Sequence, residues 1–350
     1  MCDLKQLKGK TVFSGFDGYI DYLYSVVEKE ESGVKKMFHN SGDFLGSLNN
    51  SFRRSSEYEI VLKKRKLGGN APILAAAAAS MGASVTCAGM FDGVEKEEID
   101  FIDWQAKERM SLFSLGKPAV TYALEFADCK YMFADCGNLG KQMQELNGKR
   151  EKIEQAIRAA DIIACVNWAV MPEVKEVLQR VFQNSSASIK SRYLFLDLSD
   201  IRRKDSQSIQ EYFRSIALIK NKNGIKTCLS INENEFDVLC KKLDMDAGLF
   251  EETLSALRNK LNLDEIILHA MKTAVFCSNS VFCTEEKQQI KDPVITTGAG
   301  DNFNAGICVA KLLDLPPKEQ LNVGNRAAEY YVTNGCCANF QHVINDLSEF

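Results

Sequence analysis

Five short runs along the chain are apolar at nearly every position: Thr11–Phe16 (TVFSGF), Asp161–Trp168 (DIIACVNW), Arg192–Ser199 (RYLFLDLS), Thr227–Asn232 (TCLSIN) and Glu265–Ala270 (EIILHA). Continuous rather than alternating apolarity predicts strands buried on both faces, as in a parallel sheet covered by helices. Helical periodicity follows at Glu173–Gln183, Ser208–Ile219, Glu233–Leu243 and Ala247–Leu261. Strand and helix in alternation predict an α/β fold: a doubly wound, mostly parallel sheet with helices on both faces.

Two stretches have a different period. Glu57–Lys66 (EYEIVLKKRK) and Ala119–Asp135 alternate polar and apolar residues, and Ala127–Lys130 (ADCK) stands where a hairpin turn would fall. They predict strands with one face open to solvent, a small β-sheet lid inserted at about 40–66 and 112–136. Such a lid would cover the carboxyl edge of the larger sheet, where ligands of open α/β sheets bind. The stretch from Glu30 to Glu57, rich in Ser, Asn and Gly, is expected to be a surface loop. No internal repeat divides the chain, so residues 1–350 are expected to form one α/β unit carrying the lid.

Composition narrows the function classes. The chain has 350 residues, 43 of them basic and spread along it, and a net charge of −4, which gives no electrostatic footprint for nucleic acid. No run approaches the roughly 18 apolar residues of a membrane span, and the opening MCDLKQLKGK has no apolar signal region, so a cytoplasmic protein is expected. The twelve cysteines include no CxxC pair, and His39, His269 and His342 are far apart. Neither pattern points to a resident metal.

Chemistry concentrates in Thr297-Gly298-Ala299-Gly300-Asp301. Apolar residues at Phe303, Ile307, Val309, Ala310, Leu312 and Leu313 predict a helix starting near Ala299–Asn302. Its first amides lack intrahelical partners and carry the positive end of the helix dipole, which suits a phosphate. The two glycines let those donors approach an anion, and Asp301 stands where an attacking hydroxyl could give up its proton. A second glycine-rich stretch, Lys66–Gly93, places Gly68 and Gly69 before an alanine-rich helix, with Asn70 as its expected N-cap, Pro72 in its first turn and Met81-Gly82 as its stop.

Together these segments resemble the two signatures of the ribokinase-like (PfkB) carbohydrate kinases: a GG pair leading into an alanine-rich helix that ends in Met-Gly-Ala, and a carboxy-terminal TxGAGD. Gly15 and Asp21 resemble the glycine and acid after the family's first strand, and Tyr122–Phe126 its lid strand. Asn167–Pro172 are similar to the turn lining the sugar pocket, and Asn232 and Glu235 match NxxE. Tyr330–Ala338 are similar to the last nucleotide-side loop. The resemblance implies transfer of the γ-phosphate of ATP to a primary alcohol of a sugar. Asp301 would be the base and the Gly298, Ala299 and Gly300 amides part of the anion hole. Asn232 and Glu235 would organise Mg²⁺ through water. Asp17, Asp21, Gly69, Asn70 and Asn167 would face the sugar, and His269, Lys272, Thr297 and Asn325, with Asn232 and Glu235, the nucleotide. Many relatives pair through their lids, so a homodimer through the lid is compatible with the resemblance.

The sequence also departs from the pattern. Ile295 stands where the family often has an acid contributing to a monovalent-cation site, which puts cation activation in doubt. Ala270 and Thr273 replace the glycines of a nucleotide loop, where Lys272 could reach a phosphate instead. Ile73 replaces an asparagine of the acceptor pocket, which suggests a less polar or differently oriented acceptor than ribose. Alternatives that share the motifs are a nucleoside kinase of the same superfamily, with Phe16, Tyr19 or Phe126 clamping a base, and a ligand-binding relative without catalysis.

Overall fold

In a computed structural model, residues 3–94, 108–137, 139–141, 148–183, 190–246, 250–291 and 293–344 are described. The five apolar runs form β1 (Thr11–Gly15), β9 (Ile162–Cys165), β10 (Tyr193–Asp197), β11 (Lys226–Ile231) and β12 (Glu265–His269), all parallel neighbours in one sheet. They are joined by β5 (Ser84–Met90) and β6 (Met110–Gly116) on one side and by the antiparallel hairpin β13 (Thr273–Ser278) and β14 (Phe282–Glu286) on the other. The nine strands run in the order β14-β13-β12-β11-β10-β9-β1-β5-β6. Strand order reverses at β1: the chain first builds outward through β5 and β6, then returns to lay β9 on the other side. The crevice beyond the carboxyl ends of β1 and β9 is therefore the place for a ligand.

Helices cover both faces, as continuous apolarity requires. On one side Arg150–Ala159, Val174–Gln183, Ser206–Asn223, Glu233–Lys242 and Phe250–Lys260 close one apolar core. Residues 247–249, where the last of these was expected to begin, lie outside the described residues. On the other side α2 (Asn70–Ser80), α8 (Ala299–Leu312) and α9 (Pro317–Asn334), counted in chain order, close a second core. Every residue of α2 from Ala71 to Ser80 is buried, and so is every residue of α8 from Asp301 to Leu312. The run Ala75–Ala79 explains this: with only methyl groups to interpose, α2 lies flat between the sheet and α8. Larger side chains there would overpack the layer at a cost of about 1–3 kcal/mol.

The second sheet is the lid. Its centre is the long β2 (Tyr19–Glu31), flanked by β4 (Ile60–Gly68) on one side and by β7 (Ala119–Glu125) on the other, with β8 (Lys130–Asp135) beyond β7 and β3 (Val34–Met37) hairpinned to the far half of β2. Phe38, Phe44, Tyr58 and Phe126 form an aromatic cluster of its own, with ring centroids 5.3–6.4 Å apart.

The expected boundaries of the lid need correction. Residues from 41 onward form helix α1 (Ser41–Asn50) instead of strand, because Asn40 accepts a capping hydrogen bond from the Asp43 amide at 2.9 Å. The expected surface loop at 30–57 is thus β3 and α1 for much of its length. Met110–Gly116 pairs with β5 and edges the main sheet instead of the lid.

Candidate active site

The α8 terminus is the expected anion cradle, and among the described residues it leaves backbone donors free. Gly298 precedes the helix at φ 97°, a left-handed conformation that costs a Cβ-bearing residue strain. A Cβ there would also stand 3.0 Å from Tyr331 Oη and 3.3 Å from Ile73 Cγ2. No side chain caps the helix, and the Gly300 and Asp301 amides meet no acceptor among the described residues. Asp301 is 8% exposed, with its Oδ1 unpartnered. Burial first, then the neighbouring carboxylates of Asp197 and Asp17, push its pKa well above the ordinary aspartate value, while the facing Asn70 side chain pulls it back.

On the acceptor side the structure separates two aspartates that the sequence left together. Asp17 is fully buried, and its carboxylate is taken up by protein donors: the Asn70 amide at 2.9 Å, the Ala71 amide at 2.8 Å and Asn167 Nδ2 at 2.7 Å. It therefore caps α2 and ties β1 to β9, a correction to the expectation that it faces a sugar. The N-cap position belongs to Gly69, at φ 100°, and Asn70 is the first helical residue. Asn70 is thereby freed from its expected capping duty, and its side chain faces Asp301.

Asp21 lies mid-lid on β2, in register with Lys66 on β4 and Thr121 on β7. Its carboxylate rests on Gly68, where a Cβ would come within 2.2 Å of Oδ2. Burial raises its pKa, and Lys66, Thr121 and Lys130 oppose the rise. Ile73, in place of the asparagine, packs toward Gly298.

On the other side of the cradle, Asn232 and Glu235 form a capping box: the Glu235 amide donates to Asn232 Oδ1 at 2.9 Å and the Asn232 amide to Glu235 Oε2 at 3.1 Å. They border a cavity of about 450 Å³ with Asp200, Arg202 and Asp237. Burial and then Asp197 push Glu235 up to about 8. His269 packs its Cε1 3.3 Å from where a Cβ on Gly300 would stand, which places it beside the cradle. Thr297 accepts a hydrogen bond from Lys130 Nζ at 2.9 Å and its carbonyl one from Tyr331 at 3.0 Å. Asn325 is buried on α9 and lines a separate cavity of about 730 Å³. Lys272 is exposed, so the structure does not bring it into the cluster.

Three residues of the site were missed from sequence. Asp197 ends β10, accepts from Asn304 Nδ2 at 2.7 Å and from the Ser199 amide at 2.9 Å, and is pushed up to about 6, chiefly by burial. An acid closing an apolar strand was the available signal. Lys66 and Lys130 on the lid had no distinguishing local pattern; only the pairing of β4 with β2 and of β8 with β7 brings them near Asp21. Lys130 also pairs with Glu125 across the β7–β8 register, so the lid touches the cradle directly through Thr297. Phe16 and Tyr19, proposed as base clamps, are buried in the core, and Phe126 stacks on Phe44 at 5.3 Å.

The same architecture is found in ribokinase from Thermotoga maritima (TM-score 0.65, 16% identity, 97% of this chain and 99% of that one). It is found also in phosphofructokinase-2 from Escherichia coli crystallised with substrates and products (TM-score 0.63, 12% identity, 96% and 97%) and in a nucleoside kinase from Methanocaldococcus jannaschii (TM-score 0.62, 13% identity, 97% and 99%). These likenesses show the fold alone, that of the ribokinases; the two signatures, with the family match that follows, define the class as the ribokinase-like (PfkB) carbohydrate kinases, phosphotransferases acting on a sugar hydroxyl. Residues 4–350 match the model of the prokaryotic ketohexokinases, and the chain belongs to that family. It is 26% identical over 342 residues to ketohexokinase from Haloferax volcanii, spanning 95% of this chain and 89% of that protein.

Proposed function

We propose that this protein transfers the γ-phosphate of ATP to a hydroxymethyl oxygen of a ketohexose, with Asp301 as general base. The observation that carries the reading is the buried Asp301 carboxylate at the mouth of α8, its Oδ1 unpartnered, beside two amides that meet no acceptor among the described residues. The acceptor hydroxyl would give its proton to Asp301 as its oxygen bonds to the γ-phosphorus, the bridging oxygen leaving with ADP. Both cradle amides would hold the phosphoryl oxygens as their charge redistributes. A carboxylate held above its ordinary pKa is a better proton acceptor than a solvated aspartate once it is ionised in the loaded site. The assignment to a ketohexose rests on the family, and the buried rings of Phe16 and Tyr19 speak against a nucleoside acceptor.

Among the described residues no three of His, Cys, Asp and Glu lie together as a metal cage. Magnesium would enter with the nucleotide, held through water by Asn232 and Glu235, and when bound it would neutralise phosphate charge. Glu235 fits this role: a neighbouring cation would offset the burial and the negative field of Asp197 that raise its pKa. Asp21 and Asn70 would hydrogen-bond the sugar, and Lys130 would fasten the lid over it through Thr297. We place the protein in the cytoplasm, where the thiols of the described cysteines, none in a disulfide, would stay reduced. The outward lid face, with Tyr122 and Phe133 opposite each other and 46% and 59% exposed, suits a second copy.

The test is a coupled ADP-release screen over ketohexoses, aldoses, polyols and nucleosides. Turnover on ketohexoses well above all others is expected. Activity on nucleosides alone would replace the reading, and silence despite ATP binding would leave a ligand-binding relative.

A further inference from the structure

Among the described residues, one cation beside this helix end has no ion-pair partner. Lys287 follows β14, and its amide donates to the Lys272 carbonyl at 2.8 Å, which fixes it against the β12–β13 turn. Its Nζ lies 5.0 Å from the centre of the Phe303 ring, two residues beyond Asp301 on α8. The same ring meets His269 at 5.1 Å, and His269 in turn lies against Gly300. Lys287, Phe303, His269 and Gly300 thus form one continuous wall.

Along this wall the His269 ring is kept neutral, its pKa pushed down to about 3 by burial and by Lys287. Burial also lowers Lys287, to about 8, while the negative charges of Glu329 and Glu233 oppose the shift. Among the described residues no carboxylate lies within ion-pairing distance of this ammonium, in contrast to Lys130 and Lys311, which each have one. A half-buried ammonium without a counter-ion is costly unless an anion completes it. The Gly300 and Asp301 amides, which meet no acceptor among the described residues, belong to the helix end against which His269 packs.

We propose that Lys287 is a phosphate contact for the donor nucleotide, its ammonium completing the charge balance of a polyphosphate laid along the wall from Gly300. The proposal rests on the kinase reading above. The nucleoside part of the donor should be indifferent to Lys287, because the lysine's only described neighbours on this wall are the Phe303 ring and His269.

Calorimetric titration of the full chain with MgATP and with adenosine tests it, for the wild type, Lys287→Met and Lys287→Arg. Methionine keeps the apolar stem over Phe303 and removes the charge. MgATP affinity is expected to fall about ten- to a hundredfold, the weight of a charge-assisted hydrogen bond. Adenosine affinity and the sugar KM should change less than about twofold, and arginine should restore most of the loss. Unchanged MgATP binding in the methionine variant, or equal losses for MgATP and adenosine, would overturn the assignment while leaving the kinase reading intact. A wild type that binds no MgATP would overturn both. Should the methionine variant not fold, Lys287→Gln in the same titration decides by the same criteria.

Discussion

Replacing Asp301 by asparagine separates the catalytic demand on this residue from its structural cost. The substitution preserves shape and removes the proton acceptor, so turnover should fall by about two to four orders of magnitude, or roughly 3–5 kcal/mol of barrier. Folding should respond in the opposite direction. An aspartate whose folded-state pKa is raised stabilises the fold only where it remains protonated. That contribution is whole below the ordinary value of 3.8 and is lost as pH rises through the folded value. By pH 8 the wild type has therefore lost much of that contribution, because burial, Asp197 and Asp17 all oppose the ionised form in the folded state, and the asparagine variant, which does not ionise, has lost none. Each unit by which the folded-state pKa stands above the ordinary one is worth about 1.4 kcal/mol, so relief of at least that size, a rise of a few degrees in melting temperature, is expected. The assay is a pair of measurements, single-turnover ADP release at pH 8 and thermal melts from pH 4 to pH 8, with the melting gain expected to vanish toward pH 4. Turnover within tenfold of wild type would remove Asp301 from the base role. A melting temperature at pH 8 that is lower than wild type would refute the account of its burial.

Glu235→Gln keeps the capping box and removes a carboxyl group raised to about 8. By the same sign it should melt higher than wild type above pH 8 and no higher at pH 4, by at most about 5 kcal/mol at roughly 1.4 kcal/mol per pKa unit, with weaker Mg²⁺ dependence of turnover as the second readout. Gly298→Ala places a methyl group at φ 97° against Tyr331 and Ile73, and thermal melts should show a loss of about 1–3 kcal/mol with turnover down more than tenfold. Lys130→Met removes the bond to Thr297 and the pairing with Glu125. Steady-state kinetics should show the sugar KM raised about tenfold, with a shift of no more than a few degrees in melting temperature. Tyr122→Glu with Phe133→Glu should convert a lid-paired dimer to monomer on sedimentation, and a monomeric wild type would remove that surface from the proposal.

The large sheet was legible because burial on both faces leaves no room for polar positions, and each of the five apolar runs falls within three residues of its strand at either end. Edge and hairpin strands escaped for the opposite reason. In β14 and β6 several side chains are exposed or half-buried, so their sequences have neither continuous apolarity nor clean alternation. The lid was recognised but misbounded: β2 extends over 13 residues and serves three partners. Pairing of that kind is a tertiary fact with no local signature. Helix α1 did have one, Asn40 three residues before Asp43, but serine and glycine between them gave the stretch the composition of a loop.

The site divides along the same line. Gly298 to Asp301 could be found from sequence because a helix terminus is a local object, whose free amides and dipole follow from a few consecutive residues. Asp17 could not be told from Asp21, since the difference between them is what each touches: Asp17 meets the α2 amides and Asn167, while Asp21 meets Lys66 and Thr121 across two strands. Lys287 and Lys272 form a parallel case. Both lie near the β12–β13 turn, and local pattern favoured Lys272 because it stands inside the turn. The chain, however, continues through a hairpin whose geometry buries Lys287 against Phe303 and leaves Lys272 in solvent. A charge acquires a role from the loss of its water and the absence of a partner, and both are properties of the folded neighbourhood. Sequence can propose which groups are able to carry chemistry, but desolvation selects among them.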